Sequence, residues 1–169
     1  MRTSSAQWRA EAGATYLGVL ILVVILGLTS TASLKLGTAI DRRMTEEELL
    51  YVGRQYRAAL ESYYRTAPPG APRYPMTLQD LVKDPRSTGL RRHLRQLYPD
   101  PVTGKDDWVL LRAPGGGIVG LHSSSTRTPT KTANFPAPFQ FFEGQTSYAK
   151  WVFHADSWPW ISQGRKLPE

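Results

Sequence analysis

Between Glu11 and Lys35 the chain carries no charged side chain, and within that gap Val19 to Leu26 is an unbroken apolar run. The 23 residues Ala12 to Leu34, wound as a helix, would reach about 35 Å against a hydrocarbon core of roughly 30 Å. Length therefore permits a membrane span. The same segment also admits a cleaved secretory signal, because Ser30-Thr31-Ala32 offers the small residues that signal peptidase reads. Such a cut would leave Ser33 as the first mature residue.

The pattern does not stop at Ala32. Leu34, Leu36 and Ile40 continue the apolar character, and from Glu46 an amphipathic period begins with Leu49, Leu50, Val52, Tyr56, Ala59, Leu60 and Tyr63. Spacings of three and four put these on one helical face, with Arg54, Arg57, Glu61 and Arg65 on or near the other. No proline precedes Pro68, so one helix from about Ala14 to Arg65 is sterically open, with Gly27, Gly37 and Gly53 as points where it can bend. The alternative is a second helix capped by Thr45, with Glu48 closing a capping box.

Ala67-Pro68-Pro69-Gly70-Ala71-Pro72 ends any helix. Within residues 68–169, Thr77 with Asp80 reads as the cap of a short helix ending before Pro85, and Thr88 to Leu97 as another. Asp100 to Gly104 is turn chemistry. Trp108 to Arg112 and Ile118 to His122 read as strands joined into a hairpin by Pro114-Gly115-Gly116-Gly117. Ser123 to Thr132 reads as an exposed loop, and the alternation from Tyr148 to His154 as a third strand. The tail from Ser157 carries Trp158 and Trp160.

The expected fold class is α+β: a long N-terminal helix, membrane-spanning in its first half and amphipathic in its second, packed on a small antiparallel sheet with short helices. Residues 1–13 form a leader, 14–34 the membrane half of the helix, 35–67 its amphipathic half, and 68–169 a soluble head. With no cysteine among 169 residues, disulfides, thiolate metal sites and a cysteine nucleophile are excluded. Five Trp and eight Tyr supply the bulk for a packed core instead.

Gly13-Ala14-Thr15-Tyr16-Leu17, at the junction of leader and apolar helix, resembles the processing site of type IV pilin-like proteins, and more narrowly of type II secretion pseudopilins. Tyr51 to Arg57, Tyr98 to Gly104 with Trp108, and Gly115 to Gly120 are similar to a pseudopilin-like subgroup. The resemblance implies cleavage by a prepilin peptidase between Gly13 and Ala14, with methylation of the new amino terminus. It also implies assembly through Tyr16, Leu17, Gly18, Val19 and Leu20 with other pilin-like subunits, on an inner-membrane assembly platform. Two positions depart from the pattern: Ala14 stands where phenylalanine is usual, and Gly18 where glutamate is usual. That glutamate is understood to neutralise a neighbouring amino terminus inside the membrane, where an unpaired charge is costly. Gly18 has no such group, which points to a minor or tip component.

The resemblance places the head in the periplasm and the helix in the inner membrane. Arg2 and Arg9 fit a cytoplasmic leader, while Lys35, Arg42 and Arg43 pull the other way; a short leader before a large domain favours export of the domain.

Other function classes find thinner support. His93, His122 and His154 are far apart in sequence and form no metal-binding pair at helical spacing. His122-Ser123-Ser124-Ser125 lacks a nucleophile elbow, and Pro114 to Gly117 lacks the Lys and helix of a phosphate loop. No catalytic residues are assigned and no cofactor is expected, so the chain reads as a non-enzyme. Asp100, Asp106 and Asp107 are the calcium candidates, against a solvated turn capped by aspartates. Charge concentrates in the head, with thirteen basic and eight acidic residues over 68–169. There Arg91, Arg92 and Arg95 are read as sharing one face of the second short helix, near Lys83 and Arg86, as an anion-binding site for DNA, anionic lipid or an acidic partner. A DNA-uptake pilin and a signal-anchored or secreted periplasmic binding domain are the alternatives. Trp158, Trp160 and the Phe135 to Phe142 segment are candidate contacts for subunits or exported cargo, or else core.

Overall fold

A computed structural model describes residues 8–158, with the backbone alone for 8–15 and 25–39. Its elements in chain order are α1 (Trp8–Arg65), α2 (Gln79–Val82), β1 (Val109–Arg112), β2 (Ile118–His122) and β3 (Phe153–His154), with 3-10 turns at Ala137–Phe142 and Tyr148–Lys150. The fold is mixed α+β with one small antiparallel sheet of order β1-β2-β3. The chain divides into two compact units, Met1–Arg42 and Arg43–Glu169.

In the first unit, every described side chain from Tyr16 to Val24 faces solvent; the seven large apolar ones after Tyr16 are 46–61% exposed. Among the described residues no helix is long and apolar enough to cross a membrane. The expected span 14–34 runs partly outside them, since the side chains of Ala14, Thr15 and 25–34 are not described. The leader's residues 1–7 and Trp160 also lie outside.

The second unit is built on the amphipathic stretch of α1. Leu49, Leu50, Val52, Tyr56, Ala59, Leu60 and Tyr63 are all buried, as helical spacing demands of a face laid on a core. No separate helix starts at Thr45: the turns through 41–48 are helical, because nothing there interrupts the backbone ladder. Nor does Gly53 interrupt the helix. A Cβ there would lie 2.2 Å from the Phe153 ring, so the missing side chain is what lets β3 approach the helix.

The hairpin forms as its turn residues require, with Val109 opposite His122 and a bulge between Leu111 and Arg112. Gly116, at φ +82°, takes the left-handed position of the turn. Leu121 pairs with Phe153 across β2 and β3, and both side chains are buried. Phe135, Phe139, Phe142 and Trp151 extend this core, the Phe142 ring stacked on those of Phe139 and Trp151 at 5.3 Å. Three of the four phenylalanines of the Phe135 to Phe142 segment are therefore interior, while residues 136–138, Gln140 and Phe141 stay exposed. Ser123, expected in an exposed loop, is fully buried.

Two expected elements are corrected. Only Phe153–His154 of the stretch Tyr148 to His154 pairs as strand. The Ser147 side chain accepts a bond from Ala149 N and starts a 3-10 turn, and the three-residue spacing buries both Tyr148 and Trp151, which strict alternation could not do. Thr88 to Leu97 is not a helix. Helical spacing would put Leu90 and Leu94 on one face, yet Leu94 is buried while Leu90 is 71% exposed. The backbone instead pairs backwards, His93 N and Leu94 N both donating to Leu81 O, and Asp84 N donating to Arg91 O. The first short helix is a single turn, with Asp80 accepting from Met76 N, Thr77 N and the Thr77 hydroxyl.

Candidate functional site

The surface that most needs a partner is the apolar stretch of α1. Tyr16, Leu17, Val19 and Leu20 stand open to solvent together with Ile21, Leu22, Val23 and Val24. Four consecutive positions span a full helical turn, so no side of this stretch is polar. A helix apolar all round is stable only where something apolar surrounds it, either lipid or other helices. Gly18 has nothing within 4 Å of where a Cβ would stand; its lack of a carboxylate is a matter of composition, not of crowding. The side chains at Gly13 and Ala14, the expected cleavage site, are outside the described residues.

The expected arginine face does not exist as a helix face, because 88–97 is irregular. Arg91, Arg92 and Arg95 are nevertheless all exposed, and among the described residues none has an ion-pair partner. What holds their loop in place is a buried polar brace. Asp84 takes Arg86 Nε on one carboxylate oxygen and Arg86 Nη2 on the other, at 2.9 and 2.8 Å. Arg86 donates further to the carbonyls of Pro72 and Tyr63 and lies over the Tyr63 ring at 3.4 Å. The Arg86 hydrogen bonds hold the Asp84 carboxyl well below the usual carboxylate range, against the opposing effect of burial.

His93 completes the brace and was missed in the sequence, where it stood as one of three scattered histidines. Its side chain is only 2% exposed, with Nε2 3.2 Å from Asp84 Oδ2 and Nδ1 2.8 Å from Ser62 Oγ. Carboxylate, imidazole and hydroxyl thus stand in the order of a general-base relay. The rest of the setting is that of a structural pin. Ser62 lies inside α1, where its own N–H is spent on the helix, and both Asp84 oxygens are already bonded to Arg86. Thirty-one residues separate Ser62 from His93, so no local motif could have announced the contact.

A cleft of about 510 Å³ runs beside this brace, lined by Arg54, Arg57, Glu61, Ser62, Arg65 and Asp156 among others. Two of its arginines are neutralised, Arg57 by Asp156 and Arg65 by Glu61. Its charge is therefore largely balanced within the chain.

The calcium candidates separate. Asp100 is fully buried, accepting from Val102 N and the Ser123 hydroxyl. Asp107 accepts from the hydroxyls of Thr103 and Ser124, and Asp106 stands exposed. Among the described residues no group of three or more His, Asp or Glu is placed to hold a metal ion. These aspartates brace the loop before β1 by tying it to the strand exit after His122.

Glu46 is a second residue the sequence undervalued. Read as helix-start chemistry, it is buried and accepts from Thr130 N, Lys131 N and the Tyr148 hydroxyl. It ties the base of α1's amphipathic stretch to segments more than 80 residues away. His154 is also buried, and burial pushes its pKa down, keeping the imidazole neutral. Its Nδ1 bonds Ala155 O.

Taken each by itself, the first unit presents an apolar helical stretch open on all sides and the second an α+β unit built on the amphipathic turns of α1. Compared with known proteins, the chain matches no family, no curated protein and no solved structure.

Proposed function

We propose that the chain is a pilin-like structural subunit of a type II secretion pseudopilus or related filament, non-enzymatic and assembled through its N-terminal helix. On this reading it is a single-pass inner-membrane protein, cut after Gly13, with its head in the periplasm. The observation that carries the reading is the all-round apolar exposure of Tyr16–Val24 within α1, the helix whose later turns form the floor of the head's core. The sequence of Gly13 to Leu17 adds to it.

The physical logic is that of one surface used twice. Lipid tails and neighbouring apolar helices are similar solvents for Leu, Val and Ile, so the segment rests in a bilayer and exchanges lipid for sister helices at little net cost. Gly18 offers no carboxylate to a neighbour's amino terminus, which suits a minor or tip position better than the repeating shaft. Prepilin peptidase and the assembly platform are the partners this reading requires; exported protein or DNA would meet the head.

Intact-mass measurement of the mature protein tests the proposal. A start at Ala14, with or without one added methyl group, is the expected result. A start at Ser33 would remove the apolar segment and overturn it.

A further inference from the structure

We infer that β1 is a self-association edge, through which the head pairs two-fold with a second copy of this chain. In the sheet order β1-β2-β3, β1 is bonded on one side only. Every second N–H and C=O along it points away from β2, and among the described residues no backbone bond satisfies that side. Edge strands are normally blunted by charge or proline. Val109-Leu110-Leu111 has neither, the one charge of β1 being Arg112 at its end, and Val109 is 42% exposed.

The ends of the strand say what fits the edge. Asp106, just before it, is exposed and has no ion pair among the described residues. Arg112, at its far end, is exposed and among the described residues bonds only the carbonyls of Met76 and Gly116. Both line one cleft of about 350 Å³ together with Trp108, Leu110 and Met76, so they share the side of the strand that faces α1. Two copies of β1 paired antiparallel about Val109 bring the Asp106 end of each strand beside the Arg112 end of the other. That arrangement satisfies both charges twice and sets Trp108 across from the second copy's Leu110, merging the two clefts. A two-fold contact must be self-complementary, and opposite charges on either side of the uncharged stretch Trp108 to Leu111 are self-complementary in the antiparallel sense alone. A parallel or shifted pairing leaves them unmatched.

The chain's lack of cysteine makes the test direct. In the full chain in mild detergent, V109C is expected to form a disulfide dimer on mild oxidation, because facing residues of such a pair have Cβ atoms about 4.5–5.5 Å apart. L90C, more exposed but far along the chain from β1, controls for random collision and is expected to stay monomeric. On the V109C background, D106R alone or R112D alone should cut dimer yield by about tenfold, since like charges then meet. The double variant D106R/R112D should restore it, and an equal mixture of the two singles should form predominantly the mixed dimer. Equal cross-linking of V109C and L90C, or dimer yield indifferent to the charge reversals, would overturn the inference. Rescue in the double variant also separates lost pairing from lost folding.

Discussion

Tyr16–Val24 and Glu46–Tyr63 lie on one helix, yet the two stretches obtain their order from different sources. The later stretch buries Leu49, Tyr56, Leu60 and Tyr63 in its own head; the earlier one shows its Leu, Val and Ile side chains to solvent on all sides. Both carry large apolar side chains, but only the later stretch also carries charges, Glu46 to Glu48, Arg54, Arg57 and Glu61. What differs is the pattern: a one-sided stripe finds its partner within the chain, whereas an all-round apolar surface needs a partner from outside.

The comparison breaks most severely where the core is emptied. Trp151→Ala should destabilise the head by about 3–5 kcal/mol, read as a lower urea midpoint by far-ultraviolet circular dichroism. Leu20→Ala in the earlier stretch should leave that midpoint unchanged, and an equal loss there would contradict the contrast. Next in size, Glu46→Gln removes one carboxylate oxygen from the site that gathers Thr130 N, Lys131 N and the Tyr148 hydroxyl. Leaving such a buried group short of a partner costs about 1–3 kcal/mol, measurable by the same midpoint.

The brace around Asp84 sharpens the comparison through pH. Its folded pKa is depressed by the Arg86 hydrogen bonds, so its stabilisation is complete above the ordinary carboxylate value of about 4 and is lost as pH falls below that toward the folded value. Wild type should therefore lose more stability between neutral and acid pH than Asp84→Asn, although the variant is the weaker at neutral pH. Parallel pH profiles for the two would remove Asp84 from the account. The smallest effect is expected from Arg91→Ala with Arg92→Ala. As exposed side chains without ion pairs, they should change the midpoint by no more than about 0.5 kcal/mol, while weakening any binding to anions that the loop supports.

Much of this was legible in the sequence, and the failures have a common origin. The helix face from Leu49 to Tyr63 and the hairpin around Gly115-Gly116 are periodic or turn-determined, and local spacing reports both. Thr88 to Leu97 misled because its leucines keep helical spacing, while only Leu94 finds the core and its backbone finds Leu81 O instead of its own next turn. Tyr148 to His154 misled because so short a stretch also admits a three-residue period: the 3-10 turn capped at Ser147 buries Tyr148 and Trp151 together. His93 and Glu46 were passed over since Ser62, for one, lies 31 residues away, and Thr130 and Tyr148, for the other, lie 84 and 102 away; Asp84 is nine residues from His93, across a loop with no regular period.

By itself, the sequence determined which stretch of helix is apolar all round, which is two-faced, and where the chain must turn, because these follow from side-chain period and backbone sterics over a few residues. Tertiary structure alone decided that Gly53 makes room for Phe153, that Arg86 and His93 reach Tyr63 and Ser62 of α1 to lock a loop with no regular structure, and that β1 is left as a bare edge. Each of those depends on which distant segments meet, and a hydrogen bond or ring contact between residues far apart in the chain leaves no local pattern to read.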